Sequence, residues 1–280
     1  MFHVRQMSPE DIEFAVQITD TMNWNLTEQD FNFMMSLEPE GCFVLMHDSE
    51  KIGITTTVSF GRVGWIGNVI VNENLRRRGA GSTLIKHAIK YLKSKGTETI
   101  GLYSYKEKVN FYTQLGFERD LEFTVLKGKA FPSSRIEASI RKIEESDIPK
   151  IVTFDSFYFG AWREKLLEKI AGAKENLGYC HIENGEIFGY AMAKVFDHYA
   201  EIGPLICRRE NSTTAVALLK KILKELEGFE VSMCLPKKEE ELVSMLLDAG
   251  FTESFDVIRM FHGQSTFKDC IYIAESLERG

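Results

Sequence analysis

Four stretches of the chain return, in the same order, about 135 positions further on. "VRQMSPEDI" at 4–12 is echoed by "IRKIEESDI" at 140–148, and "GCFVLMHDSEKIG" at 41–53 by "GYCHIENGEIFG" at 178–189. "WIGNVIV" at 65–71 returns as "EIGPLIC" at 201–207, and "QLGFERDLEF" at 114–123 as "DAGFTESFDV" at 248–257. Chance among β-branched strands accounts for one echo but hardly for four in order. Two domains of one fold are therefore expected, 1–132 and 137–280, joined at the turn-rich stretch "GKAFPSSRIE" (128–137) with its Pro132. A length of 280 residues suits two domains of ordinary size.

Each half reads as a short strand, one or two helices, then antiparallel strands, expected in the first half at 42–48, 52–60 and 64–71. Ser8 as N-cap with Pro9 at the first helical position opens the first helix. Leu84, Ile85, Ala88, Ile89 and Leu92 recur at helical spacing, which predicts an amphipathic helix ending near Gly96. A strand "ETIGLYS", a short helix "KEKVNFYTQL" and a last strand "EFTVLKG" follow. This order implies an α/β (α+β) fold: in each half a mixed, mostly antiparallel sheet flanked by helices.

Between strand and amphipathic helix stands "NLRRRGAGSTL" (74–84). A helix N-terminus carries unpaired N–H groups and partial positive charge, so Arg76, Arg77 and Arg78 sit where local electrostatics disfavours them. An anion resolves the conflict. Gly79 and Gly81 let backbone amides converge on an oxyanion, and the arginines add bidentate donors. The bland alternative is a solvated basic helix start. A dinucleotide fold is disfavoured, because Leu84 replaces the third glycine and the motif follows a meander, and the Walker lysine is absent.

Composition narrows the partners. A net charge of −7 argues against general nucleic-acid binding, so a local basic loop points to a small anionic ligand. Five scattered cysteines without a CxxC pair form neither a disulfide framework nor a zinc site, and no histidine pair suggests a metal. Charges interrupt every apolar run, so a cytoplasmic protein without a membrane span is expected.

The Arg76-x-x-Gly79-x-Gly81 loop, behind "GNVIV" and ahead of "FYTQLGF", resembles the acyl-CoA-binding core of the GNAT acetyltransferase superfamily over essentially all of 1–130. "MNWNLTEQDF" (22–31) and "FYFGAWREKLL" (157–167) resemble a subgroup with a second, diverged GNAT-like domain. The resemblance implies acetyl-CoA as cosubstrate. It implies a pantetheine arm held by the strand at Val69, Ile70 and Val71, with the carbonyl polarised by an amide at Val69 or Ile70. The pyrophosphate would lie on the loop from Arg76 through Arg77, Arg78, Gly79, Ala80 and Gly81 to Ser82.

Acetyl transfer to an amine requires a neutral amine, a polarised carbonyl and a proton for the departing thiolate. Tyr112, four residues before Gly116, matches the family's tyrosine near the CoA sulfur; packing beside Phe111 and Phe117 is the alternative. Where many relatives carry a cofactor-contacting asparagine, seven residues before that tyrosine, this chain has Tyr105, and Asn110 is out of register. No general base is legible, and Glu28, Asp30 and Glu73 are candidates only by position. Trp24, Asn25, Asp30, Trp65 and Asn68 are expected to line an acceptor pocket, its two tryptophans suiting an apolar or cationic amine.

In the second half Glu210, Asn211 and Ser212 stand where the arginines would, Thr213 and Ala215 replace Gly79 and Gly81, and Leu246 replaces Tyr112. That half is expected to keep the fold without the CoA site, with Arg208 and Arg209 as ordinary surface charges. A lid, acceptor contacts from an amphipathic helix at 158–167, and a homodimer surface stand open as its roles. The expected activity is N-acetyl transfer to a small amine in a ternary complex. A non-catalytic acyl-CoA sensor and a protein lysine or N-terminal acetyltransferase are the alternatives.

Overall fold

The computed structural model describes residues 1–131 and 140–280; Pro132 and most of the expected joint lie outside the described residues. The first half runs β1 (Phe2–Gln6), α1 (Ile12–Asp20), α2 (Glu28–Leu37), β2 (Cys42–His47), β3 (Glu50–Ser59), β4 (Val63–Val71), α3 (Ala80–Ser94), β5 (Thr99–Tyr105), α4 (Val109–Thr113) and β6 (Glu118–Lys129). The second half repeats it as β7 (Ile140–Lys142), α5 (Ile148–Phe159), α6 (Glu164–Gly172), β8 (Leu177–Glu183), β9 (Glu186–Val195), β10 (Tyr199–Cys207), α7 (Ser212–Glu225), β11 (Glu230–Pro236), α8 (Glu240–Asp248) and β12 (Thr252–His262). A short strand, β13 (Ile271–Ile273), is added at the end.

The repeat extends to side chains. Arg5 clasps Asp11 at 2.6 and 2.8 Å, and Arg141 clasps Asp147 at the same two distances. Each aspartate also takes the amide at the start of its turn, from Ser8 and from Glu144, so one residue closes the helix entry and locks it to the preceding strand. Pro9 precedes α1 in a 3₁₀ turn, as its fixed φ allows.

Among the described residues thirteen strands join one sheet, in the order β1-β2-β3-β4-β5-β12-β6-β11-β10-β9-β8-β7, with β13 beside β10. The halves thus exchange their last strands. β12 pairs with β5, placing Met260 opposite Leu102, and β6 pairs with β11, placing Val125 opposite Cys234. The expected boundary separates two runs of chain but not two hydrogen-bonded sheets. One core accordingly spans both halves, packing Trp65 and Phe123 with Phe159, Phe261 and Tyr272.

α1 and α2 cover one face of the first half's sheet, where Ile18 and Phe31 meet Val44 and Ile54. α3 and α4 cover the other, where Ile85, Leu92 and Tyr112 meet Ile66 and Leu102. The single helix expected at 158–167 is instead a break: α5 ends at Gly160 (φ +88°) and α6 begins at Glu164. Arg163, in the break, is fully buried and paired with Asp155 at 2.6 Å, while Trp162 is exposed. All five cysteines are free and buried. Among the described residues no helix is long and apolar enough to cross a membrane, and no His, Cys, Asp or Glu cluster is placed to hold a metal ion.

Candidate active site

The site begins with a bulge. β3 and β4 pair as Ile54↔Ile70 but as Thr56↔Gly67, so β4 carries an extra residue between them, and Asn68 sits there at φ +51°. The bulge bends β4 away from β5. The two strands pair in parallel only at Val63–Trp65 with Thr99–Gly101 and then diverge into a wedge.

Backbone parity says which groups face that wedge. Asn72 N donates to Ile52 O, so β4 turns Asn72, and by alternation Ile70, toward β3. Val69 and Val71 then face the opening. Ile70 is committed to Ile54, so of the two expected carbonyl donors Val69 is free and Ile70 is not.

At the end of the wedge the chain enters α3 through Gly79, its N-cap, at φ +88°; a side chain there would be strained. Arg77, two residues earlier, has φ +62° and is exposed in the cleft wall, which the half-buried Gly81 and Ser82 also line. Arg76 is partly spent on the fold, since its Nε donates to Val71 O at 2.8 Å and so closes the loop on the strand. Arg78 is exposed outside the cleft lining, and Ala80 is 1% exposed with its methyl in the core, leaving it only a backbone amide to offer.

Tyr112 lines the wedge from α4, its ring edge-on to Phe111 and Phe117. Burial pushes its phenol above the ordinary tyrosine range, so it stays protonated and able to donate. Packing and cleft-lining, set against each other on sequence, coexist here.

The cleft has a volume of about 2430 Å³ and runs from the α3 loop to the second half. Trp24, Asn25, Asp30 and Asn68 line it as expected. Trp65 does not: fully buried on the other side of the bulge, it packs with Tyr103, Phe159 and Phe261 and donates to Leu277 O at 3.2 Å. Asp30 is occupied in capping α2, accepting from Thr27 N and Oγ1 at 2.8 Å each. Glu28 and Glu73 are exposed at the cleft edge.

The chain's last residues complete the floor, which sequence reasoning missed. Leu277, Glu278 and Arg279 line the cleft beside Lys194 of β9 and Glu201 of β10. The tail crosses β4 at Gly67, where a Cβ would lie 2.6 Å from the Cα of Glu278, so only glycine admits it. Arg163 holds the tail from beneath, donating to Gly280 O at 2.9 Å. The sequence signal is faint: "WIGN" marks a glycine in a strand, but nothing says what approaches it.

The same tail closes the second half's wedge. β10 and β11 pair only at Tyr199–Glu201 with Glu230–Ser232, the counterpart of the β4–β5 pairing. Beyond that point β13 fills the gap, with Leu205↔Ile273 on one side and Ala274 N donating to Cys234 O on the other. Arg209 is no ordinary surface charge; it binds Glu239 at 2.6 and 2.8 Å and donates to Cys270 O, pinning the start of the plug. Arg208 stacks on Phe188 and pairs with Glu186.

A strand bulge, a wedge, a glycine-capped helix and a tyrosine in the wedge wall are the parts of an acetyltransferase fold. A model of the "Acetyltransferase (GNAT) family" matches residues 9–117, and one of the "Acetyltransferase (GNAT) domain" matches residues 151–271. The chain belongs to the GNAT family. It is a tandem GNAT protein, both halves carrying the fold.

Its relatives include an uncharacterised N-acetyltransferase of Bacillus subtilis (YitH), 23% identical over 69% of this chain and 67% of that one. An uncharacterised N-acetyltransferase of Methanocaldococcus jannaschii is 30% identical over 35% of this chain, which spans 46% of the relative's length. Among solved structures, a candidate acetyltransferase of Pyrococcus horikoshii superposes with a TM-score of 0.82 at 20% identity, over 100% of this chain and 96% of that one. A tandem GNAT protein from the clavulanic acid biosynthesis pathway gives 0.62 at 13% identity, over 96% and 100%. At these identities the structural matches speak for the fold, in which the tandem GNAT chain has one open wedge and one plugged one.

Proposed function

We propose that this tandem GNAT protein is an acetyltransferase that moves the acetyl group of acetyl-CoA directly to the amine of a small molecule, with both substrates bound in the first half's cleft. The observation that carries this reading is the contrast between the two wedges. The first is open, turns the Val69 backbone and the Val71 amide toward the opening, ends on Gly79 and is lined by Tyr112. The second has lost the glycines and is filled by β13.

The first wedge suits the cosubstrate. Val69 and Val71 offer strand-like partners to the amides of a pantetheine arm, and the α3 N-terminus with Arg77 offers donors to a pyrophosphate. When bound, acetyl-CoA supplies an activated acetyl thioester. The Val69 amide is placed to stabilise charge on the thioester carbonyl oxygen, and Tyr112 to give its proton to the departing thiolate. The second half walls the acceptor end with β9, β10 and β11, which suits a small amine better than a folded protein.

Calorimetric titration of acetyl-CoA tests this. One site per chain is expected, lost in Gly81→Arg, where even a Cβ already meets Phe111 at 3.3 Å. Two sites would contradict the plugged wedge, and none would leave the fold without this activity.

A further inference from the structure

Among the described residues the first half offers no unpaired buried carboxylate for the acceptor amine, yet the cleft floor holds a half-buried one from the second half. Glu201, Glu275 and Glu278 stand there against Lys194 and Arg279. Lys194 lies 2.7 Å from Glu201 and 2.6 Å from Glu275, and Arg279 lies 2.7 Å from Glu275. Both cations are thereby engaged. Among the described residues Glu278 has no ion-pair partner, and it lines the cleft. The floor carries one carboxylate more than its cations match.

A second, independent observation lies on the strand that Glu278 crosses. Asn68 follows Gly67, lines the same cleft and is 8% exposed. Its Nδ2 donates to Thr56 Oγ1 at 3.1 Å, while its Oδ1 has no hydrogen-bond partner. A buried acceptor without a donor is costly and calls for a partner or a catalytic role. An unmatched carboxylate and an orphaned carbonyl oxygen on two residues of the same cleft both lack the same thing: a cationic N–H donor.

We infer that Glu278, carried across from the second half by the tail, receives the acceptor as a primary ammonium group together with Asn68 Oδ1 and acts as the general base of the transfer. This rests on the acetyl-transfer reading above. The ammonium gives one proton to the Glu278 carboxylate. Its freed lone pair then forms the C–N bond at the acetyl carbonyl carbon as the C–S bond breaks, and the thiolate takes the Tyr112 proton. Tyr112 regains a proton from water, and Glu278 and the nitrogen release theirs to it.

Burial raises the Glu278 carboxyl above the ordinary glutamate range against the Arg279 charge, with Glu201 adding to the rise, which is the direction that favours a base. The groups facing it are Arg279 and Glu275 on the tail, Lys194 on β9, Glu201 and Tyr199 on β10, Cys234 on β11 and Tyr105 on β5. The single tail therefore does two things: through β13 it removes the second half's cofactor wedge, and through Glu278 it completes the first half's site.

The test follows acetyl transfer from acetyl-CoA to phenethylamine, tyramine, putrescine and spermidine across pH 5–9, alongside calorimetry of acetyl-CoA and of the amines. Glu278→Gln should lower kcat by about a hundredfold or more and lose the wild type's acid-side limb, with acetyl-CoA affinity unchanged. Glu278→Asp should keep the limb at a reduced rate, and matching thermal melts exclude misfolding. A Glu278→Gln rate within threefold of wild type, or an unmoved limb, overturns the inference. So does acetyl-CoA binding with neither turnover nor saturable binding of any amine, which leaves the cofactor reading standing. Failure of the wild type to bind acetyl-CoA removes both.

Discussion

Trp24 Nε1 donates a hydrogen bond to the Tyr105 hydroxyl at 3.1 Å, tying the loop between α1 and α2 to the end of β5 across the cleft. Tyr105 stands where many relatives place a cofactor-contacting asparagine. Here its hydroxyl is spent on Trp24, a side chain that lines the cleft. That bond ties the loop, with Asn23 and Asn25 at φ +55° and +54°, to β5, while backbone bonds from Asn23 and Trp24 hold it to α1.

Trp24→Phe and Tyr105→Phe should each raise the acceptor KM several-fold while barely moving the acetyl-CoA affinity. Because both remove one shared bond, the double variant should cost less than the sum, with a coupling of about 0.5–1.5 kcal/mol. Strict additivity in the measured kcat/KM would show that the bond does not position the loop.

Tyr112→Phe deletes the proton while keeping the ring that packs on Phe111 and Phe117. The expected result is a fall in kcat of about a hundredfold at unchanged acetyl-CoA affinity and unchanged melting temperature. Since burial raises the phenol above its ordinary range, the wild type should show no basic-side loss from this group below about pH 10. A variant that keeps most of its kcat would return Tyr112 to a packing role.

Much of this architecture was legible in the sequence, and the exceptions share a cause. Elements announced by periodicity or local chemistry, such as α3 behind its arginines or the turn at Ser8-Pro9, stand where expected. Neighbour choice was not legible: the apolar runs of β6 and β12 fit a partner in either half, so strand exchange leaves no mark. Trp65 is expected in the acceptor pocket only because its strand flanks the acyl end in the resembling fold, which does not say that its ring packs instead among Tyr103, Phe159 and Phe261. Glu278 acts through a close approach at Gly67 from more than two hundred residues away, and no local pattern encodes that. Arg163 reads in the sequence as part of one amphipathic helix at 158–167, and only the fold shows it in a break between two helices, sealed with Asp155 and the tail.

Strand exchange predicts that neither half is self-sufficient. Expressed alone, residues 1–131 would leave β5 without β12 and expose the apolar edge formed by Ile100 and Leu102. Insoluble or molten fragments are expected from either half separately, and a co-purifying, cooperatively melting pair from co-expression. A first half that melts cooperatively by itself would show that the exchanged strand is dispensable.

The tail's anchor has a definite pH signature. Burial works against the Glu275 charge, but Arg279 and Lys194 outweigh it and hold the carboxyl at about 2. A folded pKa below the unfolded one contributes stability that is complete above the ordinary glutamate value and lost as pH falls toward the native one. At neutral pH Glu275→Gln should therefore be less stable than wild type by about 3 kcal/mol, because it also strands two buried cations. By pH 3 that gap should narrow by about 2 kcal/mol, read from urea midpoints at each pH. A gap that stays constant between pH 7 and pH 3 would mean that Glu275 titrates in the folded chain as it does in the unfolded one, and a gap that widens would mean that it is protonated in the fold; either result would show that the charge excess on the cleft floor has been miscounted.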